Sequence, residues 1–168
     1  MSRVPRCVHD AARGQLSGVT TLDDAARRLL DGANFAHLTT LQPGGQPKSD
    51  VVWIGREGDR LLVATDAKSI KARNVAADPR VSVSIVAFDD PYDQLLIRGR
   101  VTEVRADDDL AVLDALSQKY LGTDFPRRKW SSRVVLVIEP HLARAYRSSL
   151  RDPRSESAAS DTPGPTIR

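Results

Sequence analysis

Ala67-Lys68-Ser69-Ile70-Lys71-Ala72-Arg73-Asn74-Val75-Ala76-Ala77-Asp78-Pro79-Arg80 lies between two stretches of strand character, Arg60–Thr65 and Val81–Ala87. Ser69 has the chemistry of an N-cap, because its hydroxyl can accept from an orphan amide of the first helical turn. Pro79 drives the residue before it out of helical geometry and stops the helix. A helix of about two turns between strands follows. Lys68, Lys71 and Arg73 crowd its start, where the helix dipole favours acidic side chains instead. Free amides and lysines at that end make an anion site, most often for a phosphate. Lysine is scarce elsewhere: the chain has five, and Lys68 and Lys71 are two of them. A plain solvated surface helix is the alternative, and it leaves that choice of lysine unexplained.

Composition bounds the rest. With 168 residues, 40% of them hydrophobic, the chain can bury one ordinary core. The net charge of +3 is mildly basic, and the eight aromatics do not interleave with basic residues. Both features argue against a nucleic-acid binder. Cys7 is the single cysteine, which excludes an intrachain disulfide framework and fits a reducing compartment. No stretch approaches the ~18 apolar residues of a membrane span, and the N-terminus lacks the apolar core of a secretory signal. A cytoplasmic protein without a membrane partner is expected. Residues 1–20 show no period and are expected to form a flexible extension. Residues 21–149 carry the folded domain. Residues 150–168 are rich in Ser, Pro, Asp, Arg and Gly, too poor in apolar surface to order themselves.

Within the domain, Thr21 and Asp24 have capping-box spacing, and Leu22, Ala25, Ala26, Leu29 and Leu30 repeat as one helical stripe ending at Gly32. Phe35–Leu41, a Pro43-Gly44-Gly45 turn, Pro47–Ile54, a Gly58-Asp59 turn and Arg60–Thr65 predict a three-stranded antiparallel meander. Trp53 is assigned to the core on this pattern, with a substrate wall as the alternative. After the central helix come Val81–Ala87 and Leu95–Arg105. Gly99 inside the latter marks a bulge or a close backbone approach. Asp107, Asp108 and Asp109 open a second helix with the acidic chemistry its dipole favours, and Gly122 closes it. Arg133–Ile138 predicts a fully buried strand, Glu139-Pro140 a break, and Leu142–Arg147 a last strand. Six or seven antiparallel strands with one helix before them and two between them, mainly β with some α, predict a closed or partly closed Greek-key barrel.

Motifs for self-sufficient chemistry are missing. The sequence has no phosphate-loop or dinucleotide-fold glycine pattern, and no serine in a nucleophile elbow. His9, His37 and His141 have neither metal-ligand nor triad spacing, and no metal is expected. His37 reads as a satisfied strand histidine. No residue can be named as catalytic. The protein either binds a ligand without reacting, or a cofactor carries the reaction.

The order of strand, Pro-Gly-Gly turn, strand ending in Val51-Val52-Trp53, Gly-Asp turn, strand, then Lys68-Ser69-Ile70-Lys71-Ala72-Arg73-Asn74 followed by Asp78-Pro79-Arg80-Val81 resembles the pyridoxamine 5'-phosphate oxidase-like split β-barrel superfamily. More narrowly, it resembles the flavin/deazaflavin oxidoreductases that use coenzyme F-420. The resemblance spans about Leu22 to Arg147. It implies a homodimer with two cofactor sites at its interface and a small-molecule substrate. It implies that Lys71 meets the cofactor phosphate, with Ser69 and Lys68 beside it, and that Asn74 either joins them or braces the loop. Lys48, Ser49 and Val51 fall on the strand that lines the ring system, and Ala64 and Thr65 on its neighbour. Tyr92 lies in a loop from which an aromatic can approach the partner's site, or it packs on its own barrel. True pyridoxamine-phosphate oxidases carry Arg-x-Val-Leu-Leu-Lys where this chain has Lys48-Ser49-Asp50-Val51-Val52-Trp53. That departure points away from pyridoxine chemistry and toward the deazaflavin branch. An arginine-rich composition suits a high-GC actinobacterial source, where that cofactor is common. The resemblance implies hydride transfer from the reduced deazaflavin to an electron-poor conjugated molecule. An FMN-dependent reductase or oxidase on the same fold and a non-catalytic flavin or deazaflavin carrier stand as alternatives.

Overall fold

The computed structural model describes residues 20–127 and 132–148. The expectations for 1–19 and 150–168 lie outside the described residues. In chain order the elements are α1 (Asp24–Asp31), β1 (Ala36–Leu41), β2 (Pro47–Val52), β3 (Gly55–Glu57), β4 (Arg60–Asp66), α2 (Ile70–Ala77), β5 (Arg80–Val86), β6 (Asp93–Ala106), α3 (Ala111–Leu121) and β7 (Arg133–Arg147). The seven strands form one sheet in the order β2-β1-β5-β6-β7-β4-β3, and every pairing is antiparallel.

The sheet is rolled. Leu38 of β1 and Leu61 and Val63 of β4 belong to one buried cluster, although four strand spacings separate β1 from β4 in the sheet. Laid flat, those spacings would hold them about 19 Å apart. Val83 and Ile85 of β5, Leu95 and Ile97 of β6, and Leu136 and Ile138 of β7 fill the interior between them. The alternation foreseen for β5 holds, with Val81, Val83 and Ile85 buried. Leu22, Ala26, Leu29 and Leu30 press α1 onto the same cluster, and Val75 brings in α2. A second cluster, Leu62, Val135 and Val137 with Val112, lies under α3 on the outer face of β4 and β7.

Three expectations are corrected. The meander is broken: β1 pairs with β2, and β3 with β4, but β2 and β4 do not pair. The two edges of the sheet are joined through Trp53 and Ile54, and the seam between them stays unpaired. The strand expected over Pro47–Ile54 therefore ends at Val52, and Trp53 and Ile54 form the crossing that leads to β3. The α1 N-cap is Asp23, whose carboxylate accepts from the Ala26 amide at 2.7 Å, rather than Thr21. Finally, Glu139-Pro140 does not end a strand. β7 runs unbroken for 15 residues, and Pro140 stands opposite Gly99 where the β6–β7 register shifts. A bulge is where a strand tolerates a residue without an N–H. The close approach foreseen at Gly99 is present: a Cβ there would lie 2.5 Å from the Glu139 carbonyl oxygen.

Candidate functional site

The seam holds a cleft of about 350 Å³, lined by Phe35, Val51, Val52, Trp53, Ala64, Thr65, Lys71, Leu113, Leu116, Phe125 and Arg133. One wall is the end of β2 and the crossing that follows it. The facing wall is β4. α2 stands at one end, and α3 contributes the apolar Leu113 and Leu116. A cleft of this size, mostly apolar with a few polar groups, is typical of small-molecule sites.

α3 fixes the crossing. The Tyr120 hydroxyl donates to the Asn34 carbonyl at 2.6 Å and accepts from the Ile54 amide at 3.2 Å. The Lys119 ammonium donates to the carbonyls of Leu30 and Ile54, at 2.5 and 2.7 Å. Burial pushes this ammonium down to about 8, with Asp31 pulling weakly the other way. Burial likewise raises the Tyr120 hydroxyl. The Tyr120 ring stacks on Trp53, 5.3 Å between centroids and 7° from parallel, and the Phe125 ring meets Trp53 edge-on. Trp53 is thus held as a partly buried wall of the cleft and not as core, correcting its assignment. It crosses from one sheet edge to the other, a position that strand alternation does not describe.

The start of α2 forms as expected. Ser69 accepts from the Ala72 amide at 3.2 Å and receives the Thr65 hydroxyl at 3.1 Å, tying the helix start to the end of β4. Val51, Ala64, Thr65 and Lys71 line the cleft together. The other residues foreseen there do not. Lys68 is exposed. Asn74 is buried and donates to the Thr40 hydroxyl at 2.9 Å, bracing α2 against β1. Ser49 faces outward and shares a hydrogen bond with Thr39, while Lys48 faces inward with Asp50. The period of two in a strand makes Lys48 and Ser49 point to opposite faces. Tyr92 sits in the β5–β6 connection, its amide donating to Asp90 and its carbonyl accepting from the Ser148 amide, and it is not among the cleft residues.

Two charged residues of the site were not foreseen. Asp50 lies 2.5 Å from the Lys48 ammonium and 3.9 Å from that of Lys71. Its Oδ2 is buried with no hydrogen-bond partner among the described residues. The clue in the sequence is the Lys48-x-Asp50 spacing, which puts both on one strand face. Arg133 opens β7 beside Asp66 in register, lines the cleft, and sits over the Phe125 ring at 5.5 Å. Burial works against its charge, while Asp66 and Asp107 support it. Its only sequence signal is a cation leading an otherwise apolar strand. Among the described residues no cluster of His, Cys, Asp or Glu could hold a metal ion, and no helix is long and apolar enough to cross a membrane.

Comparison with known proteins agrees with this geometry. The family model described as pyridoxamine 5'-phosphate oxidase matches residues 22–147. A solved structure of an F-420 reductase is similar at 30% identity with a TM-score of 0.67, covering 73% of this chain and 98% of that one. A conserved hypothetical protein of Mycobacterium tuberculosis shares the fold at 20% identity and a TM-score of 0.59, with 90% of this chain and 95% of that one covered. So does a pyridoxamine 5'-phosphate oxidase-related, FMN-binding protein of Nostoc punctiforme, at 18% identity and a TM-score of 0.50 over 67% and 73%. No curated protein matches the sequence. A rolled antiparallel sheet with an unpaired seam, matched from Leu22 to Arg147, makes this chain a member of the pyridoxamine 5'-phosphate oxidase family.

Proposed function

We propose that the protein is a coenzyme F-420-dependent oxidoreductase that passes a hydride from the reduced deazaflavin to an electron-poor conjugated small molecule. The observation that carries this reading is the seam cleft, which has aromatic and aliphatic walls and a cationic end at Lys71 and Arg133. The residues present fit a flavin-type group. Trp53, Val51 and Leu116 suit a flat ring, Lys71 and the α2 amides suit a phosphate, and the orphaned Asp50 Oδ2 can accept from a hydroxyl-bearing chain.

When bound, the reduced deazaflavin supplies the hydride. The chain's own residues bind, orient and exclude water. Lys71 would hold the phosphate, with Ser69 keeping the helix start in place. Ala64 and Thr65 on β4 would support the ring from one side, and Val51 and Trp53 would close the other. None of these side chains is needed for bond making, so positioning and desolvation are the protein's contribution.

The reading includes a homodimer. α3 covers the outer face of β4 and β7. The outer face of β2, β1, β5 and β6 has no helix over it among the described residues, and it carries the exposed Val51 and Leu96 among Thr39, Ser49, Ser82 and Ser84. A second copy laid there would adjoin the cleft through Val51. FMN on the same site is the second reading, favoured by the FMN-binding relative that shares the fold.

Equilibrium binding of the deazaflavin and of FMN to the wild type and to Lys71→Ala tests the proposal. Selective deazaflavin binding is expected, weakened by about 1.5–3 kcal/mol in the variant, as for a lost hydrogen bond to a charged group. FMN preference moves the protein to the flavin reading. Binding of neither removes the cofactor role from the seam.

A further inference from the structure

We infer that Lys119 and Tyr120 are positioning residues for the seam: from outside the cleft they hold Phe35 and Trp53 as the wall against which a flat ring packs. The inference rests on the cofactor reading above and names the residues that make its ring subsite.

β2 and β3, the two edges of the sheet, exchange no backbone pairing. The width of the seam is therefore set where Trp53 and Ile54 cross it. The second half of α3 lies along that crossing. Leu116 packs so close to Gly55 that a Cβ there would lie 3.1 Å from its Cδ2. Ile54 is gripped by both backbone groups. Its amide donates to the Tyr120 hydroxyl at 3.2 Å, and its carbonyl accepts from the Lys119 ammonium at 2.7 Å. Its side chain is fully buried in the main cluster. Held on all these sides, Ile54 leaves its neighbour Trp53 little freedom to move.

The Tyr120 hydroxyl ties the second wall residue as well. It donates at 2.6 Å to the carbonyl of Asn34, the residue before Phe35. The Tyr120 ring then supports both wall rings, with its centroid 5.3 Å from that of Trp53 and 5.4 Å from that of Phe35. Phe35 and Trp53 line the cleft, whereas Lys119 and Tyr120 do not. Phe35 is 45% exposed, so its orientation depends on that support. A wall ordered before the ligand arrives spares binding the cost of ordering it. One well-placed aromatic contact is worth roughly twofold to tenfold in affinity.

The test uses a Trp130→Phe background, in which Trp53 is the single tryptophan. Fluorescence anisotropy and acrylamide quenching of Trp53 are measured without ligand in Lys119→Met, Tyr120→Phe and Tyr120→Leu, well below their thermal midpoints. Dissociation constants follow for FMN and for the deazaflavin coenzyme. Gly99→Ala, which crowds the β6–β7 bulge outside the cleft lining, controls for lost stability alone. Lys119→Met and Tyr120→Leu are expected to lower the anisotropy and open Trp53 to the quencher. Whichever ligand the background protein binds should weaken about tenfold in Tyr120→Leu, the scale of one lost aromatic contact, and by a smaller factor in Lys119→Met. Tyr120→Phe keeps the ring and loses the ties, so it should fall between the background protein and Tyr120→Leu. Gly99→Ala should leave both readouts unchanged. Unchanged Trp53 anisotropy in Lys119→Met and Tyr120→Leu, a loosened Trp53 with unaltered affinity, or an equal effect from Gly99→Ala overturns the inference and leaves the cofactor reading standing. Binding of neither ligand by the background protein overturns the cofactor reading, and the Trp53 readouts then decide alone whether the pair positions the wall.

Discussion

Lys119 shows how one side chain can set the shape of the cleft from outside it. Its ammonium reaches the Leu30 carbonyl near the end of α1 and that of the crossing residue Ile54, and its burial holds it near 8, below its ordinary value. The unfolded chain therefore binds this proton more tightly than the folded one. The resulting penalty is fully present below pH 8 and disappears as pH rises toward the unfolded value near 10.5. Denaturant unfolding of the wild type, compared with Lys119→Met, should show the wild type gaining stability relative to the variant between pH 8 and about 10. Above that, Tyr120 acts oppositely: its hydroxyl is raised, so the unfolded chain deprotonates first and stability falls. A wild-type minus variant difference that stays flat across this range would mean the ammonium is not desolvated. Lys71 was legible in the sequence because three cations at a helix start are anomalous. Asp50 was not, because an acid in a strand is ordinary until tertiary structure brings a second lysine to it.

At the scale of elements, the strands and helices follow local chemistry closely. Ser69 caps α2, Gly122 closes α3 in the left-handed conformation at φ 72°, and Asp107 turns its carboxylate to the amides of Val112 and Leu113. What the sequence misassigned were connections. Pro140 reads as a stop, yet long-range pairing with β6 accommodates it at a register shift. Tertiary pairing outweighed the local signal there. The counterpart is Gly99, whose absent Cβ lets the β7 backbone come close. Gly99→Ala must move that backbone, and overpacking of this kind costs about 1–3 kcal/mol. A lower denaturant midpoint at unchanged slope is the expected result. An unaltered midpoint would show that the bulge yields freely.

At the scale of the molecule, the proposed pair of subunits would leave the bare half of the sheet covered. Light scattering after size exclusion should give twice the chain mass. Leu96→Asp, placing a charge on that face, should give the monomer and weaken cofactor binding together. A monomeric wild type would leave the seam to act within one chain. The overall roll of the sheet was legible from the count and order of strands, whereas the seam was not, since no local pattern tells whether consecutive strands pair or part. The position of β7 has a further bearing on how the protein is made. This late strand lies between β6 and β4, so the growing chain on the ribosome carries a four-strand half and a hairpin that no strand pairing yet joins. Their apolar inner surfaces wait for the same late segment. Until it is made, those surfaces favour aggregation, and a chain cut short before Arg133 should be recovered as insoluble product instead of a weakened protein.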